Sequence, residues 1–284
     1  VEGVNVVILY PSGKVSLVQE LQLTTSGKNI VAYEVDGSFD DCQALVKQAF
    51  SDPDLNNKIF LTSANSINVA RWLPQQIYYF LAWKQWADKA KPPVISVPSG
   101  NFGNICAGLL AYHSGLPVSH FIAACNSNAV IPEYLKTGIY KPEKARATMS
   151  NAMDVGDPSN FVRVLALFNS AFESLKKMMS SESISDEETG QALGSIYKLY
   201  KYQADPHGAV GWLALSRWLE KHSKESGIFL ETAHPVKFPE VVEKFSGHSV
   251  EVPESVTELF EKNKSSIKMA ADYHLFRKEL LAIR

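Results

Sequence analysis

The chain has 284 residues, of which 45% are hydrophobic, 20% are charged and 11% are aromatic. This length is enough for about two domains, and the composition is typical of a globular protein, which excludes disordered and fibrous classes. The net charge of −2 leaves no general excess of positive charge, so neither nucleic acid nor an anionic membrane is predicted as a main partner.

The cysteine content and the lengths of the apolar runs indicate the cellular compartment. The three cysteines are odd in number and form no CxxC pair, so neither a disulfide framework nor a zinc ribbon is predicted. No apolar stretch reaches the ~20 residues of a membrane-spanning helix, and the first residues lack the features of a signal peptide. We therefore expect a cytoplasmic protein. The absence of an initiator Met suggests that the chain begins inside a longer protein.

The first ninety residues alternate between predicted strands and predicted helices. Short apolar runs predict strands at 4–10, 29–35 and 58–61. Apolar residues at intervals of three and four predict helices around residues 19–23, at 39–50 and at 72–86, with Pro74 either near the start of the last helix or kinking it. This alternation predicts a parallel sheet with helices on its faces.

A second βα series follows Lys91-Pro92-Pro93, the best candidate for a domain boundary. Residues 126–157 are rich in Asn, Pro and Gly and are expected to be partly irregular, and residues 180–189 are expected to form a polar loop. Ser185 and Glu188 in that loop make a capping box that opens the next helix. Strands are predicted at 94–97, 121–124 and 227–230, and helical segments at 102–113, 160–179 and 240–245.

A loop rich in Gly and Asn directly follows the strand at 94–97, and residues 94–104 read VISVPSGNFGN. In a parallel sheet, such a loop lies where α/β proteins bind ligands. Gly100 and Gly103 permit positive φ, so successive N–H groups can converge on an anion that the following helix dipole also attracts. The alternative is a turn in which the glycines serve geometry alone. The spacing is not GxGxxG, and no P-loop lysine follows.

A second polar segment follows the strand predicted at 58–61, and residues 62–71 read TSANSINVAR. Its hydroxyls, amides and terminal arginine suit recognition of a second dianionic group. The alternative is a helix N-cap with a solvated Arg71.

Two further segments place polar residues beside predicted elements. Thr232 and His234 follow the strand at 227–230, and His207 lies in a DPHG segment before a helix. A structural role is the more common one for each of these residues. No HExxH, no GxSxG and no metal-spaced cluster is present, so no metal site and no serine hydrolase is predicted.

Five segments occur together in an order and spacing that resemble the threonine synthases of bacteria and fungi: SANSINVAR, VPSGNFGN, SNAMDVGDPSNF, DPHGAVG and ETAHPVKF. The resemblance covers nearly the whole chain. It implies an α/β fold of two parallel-sheet, three-layer domains, the fold type II class of pyridoxal-phosphate (PLP) enzymes that includes tryptophan synthase β. It also implies a lyase of threonine biosynthesis, which converts O-phospho-L-homoserine and water to L-threonine and phosphate.

The resemblance also implies which residues form the site. Ser66, Arg71 and Asn104 would hold the phosphate of the substrate, and Thr232 would lie beside the pyridine nitrogen. A neutral hydroxyl there does not by itself hold that nitrogen protonated, as a carboxylate would. The reaction involves two phosphate groups, one of the cofactor and one of the substrate, and so needs two phosphate-binding segments. Each predicted βα series offers one. The phosphate of PLP would be surrounded by Gly100, Asn101, Phe102, Gly103 and Asn104.

The Schiff-base lysine of such enzymes lies in a segment like PTxAFKD, upstream of where this chain starts. No lysine here lies in such a motif, so no catalytic residue is assigned. We therefore expect the chain to be the C-terminal portion of a longer enzyme, with 1–90 the remainder of the smaller domain and 91–284 the larger PLP-binding domain. If nothing precedes Val1, we expect no turnover.

Other functions remain open at this stage. A dehydratase tends toward an SGGGL-like loop and a sulfur-transferring synthase toward a GTGGT-like loop, so GNFGN favours threonine synthase over these two. A phospho-lyase, which eliminates phosphate without making threonine, stays open. The missing lysine favours a non-catalytic module that binds a phosphate-bearing metabolite. In either case the expected partner is a small molecule, without nucleic acid or membrane, and the protein is expected to be a monomer or a homodimer.

Overall fold

The computed structural model describes residues 3–283, which form seven strands and thirteen α-helices. The strands are β1 (Val6–Pro11), β2 (Ile30–Asp36), β3 (Val94–Pro98), β4 (His120–Cys125), β5 (Met179–Ser183), β6 (Gly227–Phe229) and β7 (Ile267–Ala270). The helices are α1 (Leu17–Thr24), α2 (Phe39–Ser51), α3 (Pro53–Asn56), α4 (Trp72–Gln85), α5 (Gly103–His113), α6 (Val130–Thr137), α7 (Phe161–Leu167), α8 (Phe172–Met178), α9 (Asp186–Tyr200), α10 (Pro206–Lys221), α11 (Pro239–Ser246), α12 (Glu254–Phe260) and α13 (Tyr273–Ala282).

The chain divides into two compact units, one of Val1–Thr62 with Glu251–Arg284 and one of Ser63–Val250. These units differ from the predicted segments 1–90 and 91–284. The C-terminal residues belong to the first unit because β7 pairs with β2. Helix α4 belongs to the second unit because it packs closely on α5, where a side chain at Gly108 would meet the ring of Tyr79 at 2.6 Å.

The first unit contains a parallel sheet in the order β1-β2-β7. Both edges of β2 are therefore occupied, and residues 58–61, which were predicted as a strand, take no part in the sheet. That prediction is wrong, because Ile59 and Leu61 pack their side chains on the core without strand pairing, while Phe60 is 96% exposed. The core of this unit is formed by Tyr33, Val35, Cys42, Leu45, Ala49, Leu55, Met269, Phe276 and Leu280.

The second unit contains a parallel sheet in the order β5-β4-β3-β6. The two central strands, β3 and β4, are buried along their whole length, which explains their continuous apolar sequences. Helix α5 is apolar almost all round and is buried against this sheet and α4. This sheet places the carboxyl end of β3, and the loop that follows it, at the centre of the unit.

Two predictions in this unit are corrected. The polar loop predicted at 180–189 is partly strand β5, which the sequence conceals because its serines bond the neighbouring strand: Ser181 Oγ donates to the Ala123 carbonyl at 2.7 Å. The helical segment at 160–179 is divided between α7 and α8, because Asn169 and Ser170 have φ of 51° and 56°. The capping box of Ser185 and Glu188 is confirmed at the start of α9.

Candidate phosphate-binding site

The loop between β3 and α5 presents backbone donors. Ser99 N donates to the Ala124 carbonyl at 2.8 Å, which holds the loop to the neighbouring strand. Within the part of the chain that the structure describes, the amides of residues 100–105 donate to no protein acceptor. They include the first N–H groups of α5, a helix of 11 residues whose positive dipole end lies here. A group of donors without acceptors is suited to an anion.

Gly100 and Gly103 do not have positive φ, so the prediction that they adopt this conformation is wrong. They are needed instead because neighbouring segments pack closely against them. The one left-handed residue of the loop is Phe102, with φ of 62°. A Cβ at Gly100 would lie 2.6 Å from the Met153 Cα, and a Cβ at Gly103 would lie 2.9 Å from the Ser66 Cβ. Neighbouring chain segments therefore leave no room for a Cβ at either position.

Phe102 holds its unfavourable backbone conformation through its side chain. The ring is 2% exposed and packs edge to face on Phe161, with 5.6 Å between the ring centroids. Such an aromatic pair contributes ~0.5–1.5 kcal/mol beyond area burial, comparable to the ~1–3 kcal/mol of a strained backbone residue. The packing of Phe102 thus offsets the strain that directs the neighbouring amides.

The side chain of Asn101 connects the two polar segments singled out in the sequence. Its Nδ2 donates to Ser66 Oγ at 3.0 Å, and its Oδ1 accepts from the amide of Ser159 at 2.7 Å. The structure therefore brings Ser66 next to the loop. The side chain of Asn101 is occupied by these bonds, so its backbone amide is what it offers to a ligand.

Arg71 directly precedes α4, and Asn104 lies in the first turn of α5, the helix that packs on α4. The Arg71 guanidinium is exposed and donates to the Ala64 carbonyl. The Tyr79 hydroxyl lies 2.8 Å from Asn104 Oδ1 and 2.9 Å from the Asn104 carbonyl oxygen. Burial raises the pKa of Tyr79 well above its ordinary value, so the phenol stays a donor and Asn104 Nδ2 remains the donor of that amide.

Thr232 lies in the segment after β6, and its side chain is exposed. Strand β6 is parallel to β3 and pairs with it, and Leu230 N donates to the Ser96 carbonyl at 3.0 Å. Thr232 and the loop therefore follow the carboxyl ends of two neighbouring strands. His234 has a structural role, because its Nδ1 accepts from the Val236 amide at 3.1 Å.

His207 supports the loop through the segment that packs against Gly100. Its ring is 2% exposed, Nδ1 bonds to the Asp205 carboxylate, and Nε2 accepts from the Ala152 amide at 3.2 Å. The Ala152-Met153 segment is the one that a Cβ at Gly100 would strike. Both ring nitrogens are thus engaged, and His207 positions the segment against which the loop packs. Sequence reasoning noticed the DPHG segment but had no signal for this contact.

Glu231 is a buried carboxyl that sequence reasoning missed. Its Oε1 accepts from the Asp205 amide at 3.0 Å, and within the described residues its Oε2 has no hydrogen-bond partner. Gly208 makes room for this carboxyl, because any Cβ there would overlap it. Burial, and after it the negative charge of Asp205, raises the pKa of Glu231 to about 8. A charged residue directly after the apolar run at 228–230 was the available signal.

This raised pKa predicts a pH-dependent stability that Glu231→Gln removes. A carboxyl whose folded-state pKa lies above its ordinary value of 4.5 stabilises the fold fully below that pH, and the contribution is lost as the pH rises to about 8. We therefore expect the free energy of unfolding of E231Q, relative to wild type, to rise between pH 4.5 and 8 and then to level off.

Urea denaturation followed by tryptophan fluorescence measures this effect, because all five tryptophans lie in the Ser63–Val250 unit. The matched control is Glu220→Gln, at an exposed position of α10. A difference between E231Q and wild type that stays constant over this pH range would contradict the prediction.

Residues 3–283 contain neither a metal-binding cluster nor a membrane-spanning helix. No group of three or more His, Cys, Asp or Glu side chains is placed to hold a metal ion. No helix in the same residues has the length and apolar character needed to cross a membrane.

Residues 1–229 match the family described as pyridoxal-phosphate dependent enzyme, and residues 208–279 match the one described as threonine synthase, C-terminal. The chain is 44% identical to threonine synthase of Escherichia coli (strain K12) over 280 residues, which are 98% of this chain and 64% of that protein.

Two solved structures of threonine synthases are also similar to this chain. The crystal structure of threonine synthase from Escherichia coli has a TM-score of 0.92, with 44% identity over 99% of this chain and 65% of that one. The PLP-bound threonine synthase from Brucella melitensis has a TM-score of 0.86, with 30% identity over 98% of this chain and 65% of that one. The chain thus spans slightly less than two thirds of the length of these relatives.

Proposed function

The chain belongs to the pyridoxal-phosphate dependent enzyme family, and from this premise we propose that it serves the threonine synthase reaction, in which O-phospho-L-homoserine and water give L-threonine and phosphate. The names of the similar proteins support this reaction, as does the match of residues 208–279 to a threonine synthase region.

One observation carries the proposal: the unpaired amides at the start of α5 lie beside Ser66, through the hydrogen bond from Asn101 Nδ2 to Ser66 Oγ at 3.0 Å. A threonine synthase needs to hold two phosphate groups, one of the cofactor and one of the substrate. A loop of backbone donors next to a second segment of short polar donors meets that need.

The loop residues fit a phosphate monoester, because they offer N–H donors, a helix dipole and no carboxylate. We assign the PLP phosphate to the backbone of Gly100, Asn101, Phe102, Gly103 and Asn104. When bound, PLP supplies the stabilisation of carbanions that the reaction requires. The work of these residues is to hold the cofactor in one orientation, and the bonds of Asn101 and the packing of Phe102 make the loop rigid enough to do so.

The substrate phosphate is assigned to Ser66, Arg71 and Asn104. Ser66 Oγ and Asn104 Nδ2 provide short donors, and the exposed guanidinium of Arg71 provides positive charge. Thr232 is assigned to the pyridine nitrogen. Thr232 follows the carboxyl end of β6, as the loop follows that of the neighbouring β3. Its neutral hydroxyl places no negative charge beside the pyridine ring of the cofactor.

Product analysis tests the proposed reaction. The full-length protein is incubated with PLP and O-phospho-L-homoserine, and the products are separated by chromatography. Threonine and phosphate in equal amounts are expected. The appearance of 2-oxobutyrate without threonine would instead assign a phospho-lyase, and the absence of any product would reject the enzymatic proposal.

Ser66→Ala tests the assignment of the substrate phosphate. Loss of a hydrogen bond to a charged group costs about 1.5–3 kcal/mol, so KM for O-phosphohomoserine is expected to rise about 10- to 100-fold. Affinity for PLP should change much less, since the loop amides remain. The control is Ser119→Ala, an exposed serine of the same unit. An unchanged KM in S66A, measured by steady-state kinetics, would refute the assignment.

A further inference from the structure

Asn160, at the start of α7, has a buried donor without an acceptor. The residue is 0% exposed. Within residues 3–283, its Nδ2 has no hydrogen-bond partner. Leaving a buried donor unpaired costs about 1–3 kcal/mol, so such groups are rare unless a ligand or water satisfies them. None of the functions described above uses this side chain.

The orientation of the Asn160 amide is determined by its neighbour. Arg163 Nη1 donates to Asn160 Oδ1 at 2.5 Å, while Arg163 Nη2 donates to the Ile67 carbonyl at 2.6 Å. A guanidinium has donors only, so the opposite orientation would place two donors face to face. The amide NH₂ therefore points away from Arg163.

The unpaired NH₂ lies at the first residue of α5. It is 3.5 Å from the position that a Cβ on Gly103 would occupy, and Ser66 Oγ is 3.7 Å from the same position. Because Gly103 has no side chain, Ser66 and the Asn160 amide can approach the start of α5 closely. The unpaired amides of α5 face the same end of the helix. Backbone, hydroxyl and amide donors thus converge without a carboxylate among them.

We propose that Asn160 is a further phosphate-binding residue, whose Nδ2 donates to the phosphate monoester held between Ser66 and the N-terminus of α5. The ligand supplies the acceptor that the protein lacks at this point. Arg163 positions the amide and, through the Ile67 carbonyl, holds the segment that carries Ser66. This inference rests on the proposed function, since cofactor and substrate both carry the required phosphate monoester.

Asn160→Asp is the informative variant. Aspartate keeps the size of the side chain and still accepts from Arg163, so the fold is expected to persist, but an oxygen replaces the donor that faces the anion. Isothermal titration with PLP, with O-phospho-L-homoserine and with inorganic phosphate measures the effect. We expect at least tenfold weaker binding of a phosphate ligand, from the lost hydrogen bond and the added repulsion.

The charge-matched control is Asn169→Asp, an exposed position at the end of α7. It adds the same negative charge to the same unit and should leave all three affinities within about twofold of wild type. Weaker PLP binding alone would assign Asn160 to the cofactor phosphate, and weaker O-phosphohomoserine binding alone would assign it to the substrate phosphate. Unchanged binding of all three ligands by folded N160D would overturn the inference.

A second measurement does not depend on the stability of the variant. In ¹⁵N-labelled wild type, selective labelling identifies asparagine side-chain amides, and the NH₂ pair of Asn160, assigned through its proximity to Gly103, should shift on addition of inorganic phosphate. No shift of this pair, even if the pair of Asn104 shifts, would overturn the inference. If wild type binds none of the three ligands, both this inference and the proposed function fail. If it binds them but forms no threonine, only the proposed function fails.

Discussion

Gly100→Ala is expected to weaken PLP binding at least tenfold and to lower the free energy of unfolding by about 1–3 kcal/mol. The added Cβ would lie 2.6 Å from the Met153 Cα and 3.1 Å from the Ala152 carbonyl oxygen, so backbone must move on one side or the other. The opposing segment cannot retreat easily, because His207 accepts from the Ala152 amide. The loop therefore shifts, and its amides no longer converge.

Absorbance titration with PLP measures the affinity of G100A, and urea denaturation measures its stability. The control is Gly194→Ala in α9, where a Cβ would meet nothing closer than the Phe245 carbonyl oxygen at 3.1 Å. Alanine favours a helix over glycine by about 1 kcal/mol, which offsets this tight contact. Because Gly194 is not part of the loop, this variant should bind PLP normally. Normal PLP affinity in G100A would show that the loop does not hold the cofactor phosphate.

Phe161→Ala is expected to cost about 3–5 kcal/mol of stability, as is typical of a fully buried phenylalanine. Its ring is 1% exposed and packs against three other rings, with centroid distances of 5.6 Å to Phe102, 5.1 Å to Tyr134 and 5.8 Å to Tyr140. Truncation leaves a cavity beneath Phe102. The left-handed conformation of Phe102 then loses its support, so PLP affinity should fall together with stability.

Urea denaturation of F161A, followed by tryptophan fluorescence, reports on the unit that contains the cavity. Val162→Ala on the same helix is the control, because Val162 is 66% exposed and its truncation should change stability by no more than about 0.5 kcal/mol. If F161A lost less than about 1 kcal/mol, the ring cluster could not be what supports the loop.

These two predictions share a physical basis. The loop owes its shape to contacts on both of its sides: the Ala152-Met153 segment packs against Gly100, and Phe161 packs against Phe102. In the proposed function, a loop that is already organised before the ligand arrives lowers the entropy cost of binding. Its backbone donors would then hold a phosphate without reorganisation.

The sequence by itself predicted the elements whose signals are local. Strands β1 to β4 and β6 and helices α2, α4, α5 and α11 follow from apolar periodicity and turn residues, and Ser185 with Glu188 identified the start of α9. The same reasoning predicted an anion-binding loop after β3, a role that stays a proposal, because a strand followed by Gly and Asn and then a helix can be recognised within about ten residues.

Only the tertiary structure decided which distant segments meet. Strand β7 pairs with β2 from more than 230 residues away, so nothing near β2 in the sequence could show that its second neighbour comes from the end of the chain. The reasons for Gly100 and Gly103 lie in Met153 and Ser66, and the donor of Asn160 faces α5 only because Arg163 holds its oxygen. Periodicity and turn chemistry act between neighbours along the chain, whereas steric fit and the pairing of buried polar groups depend on the complete fold.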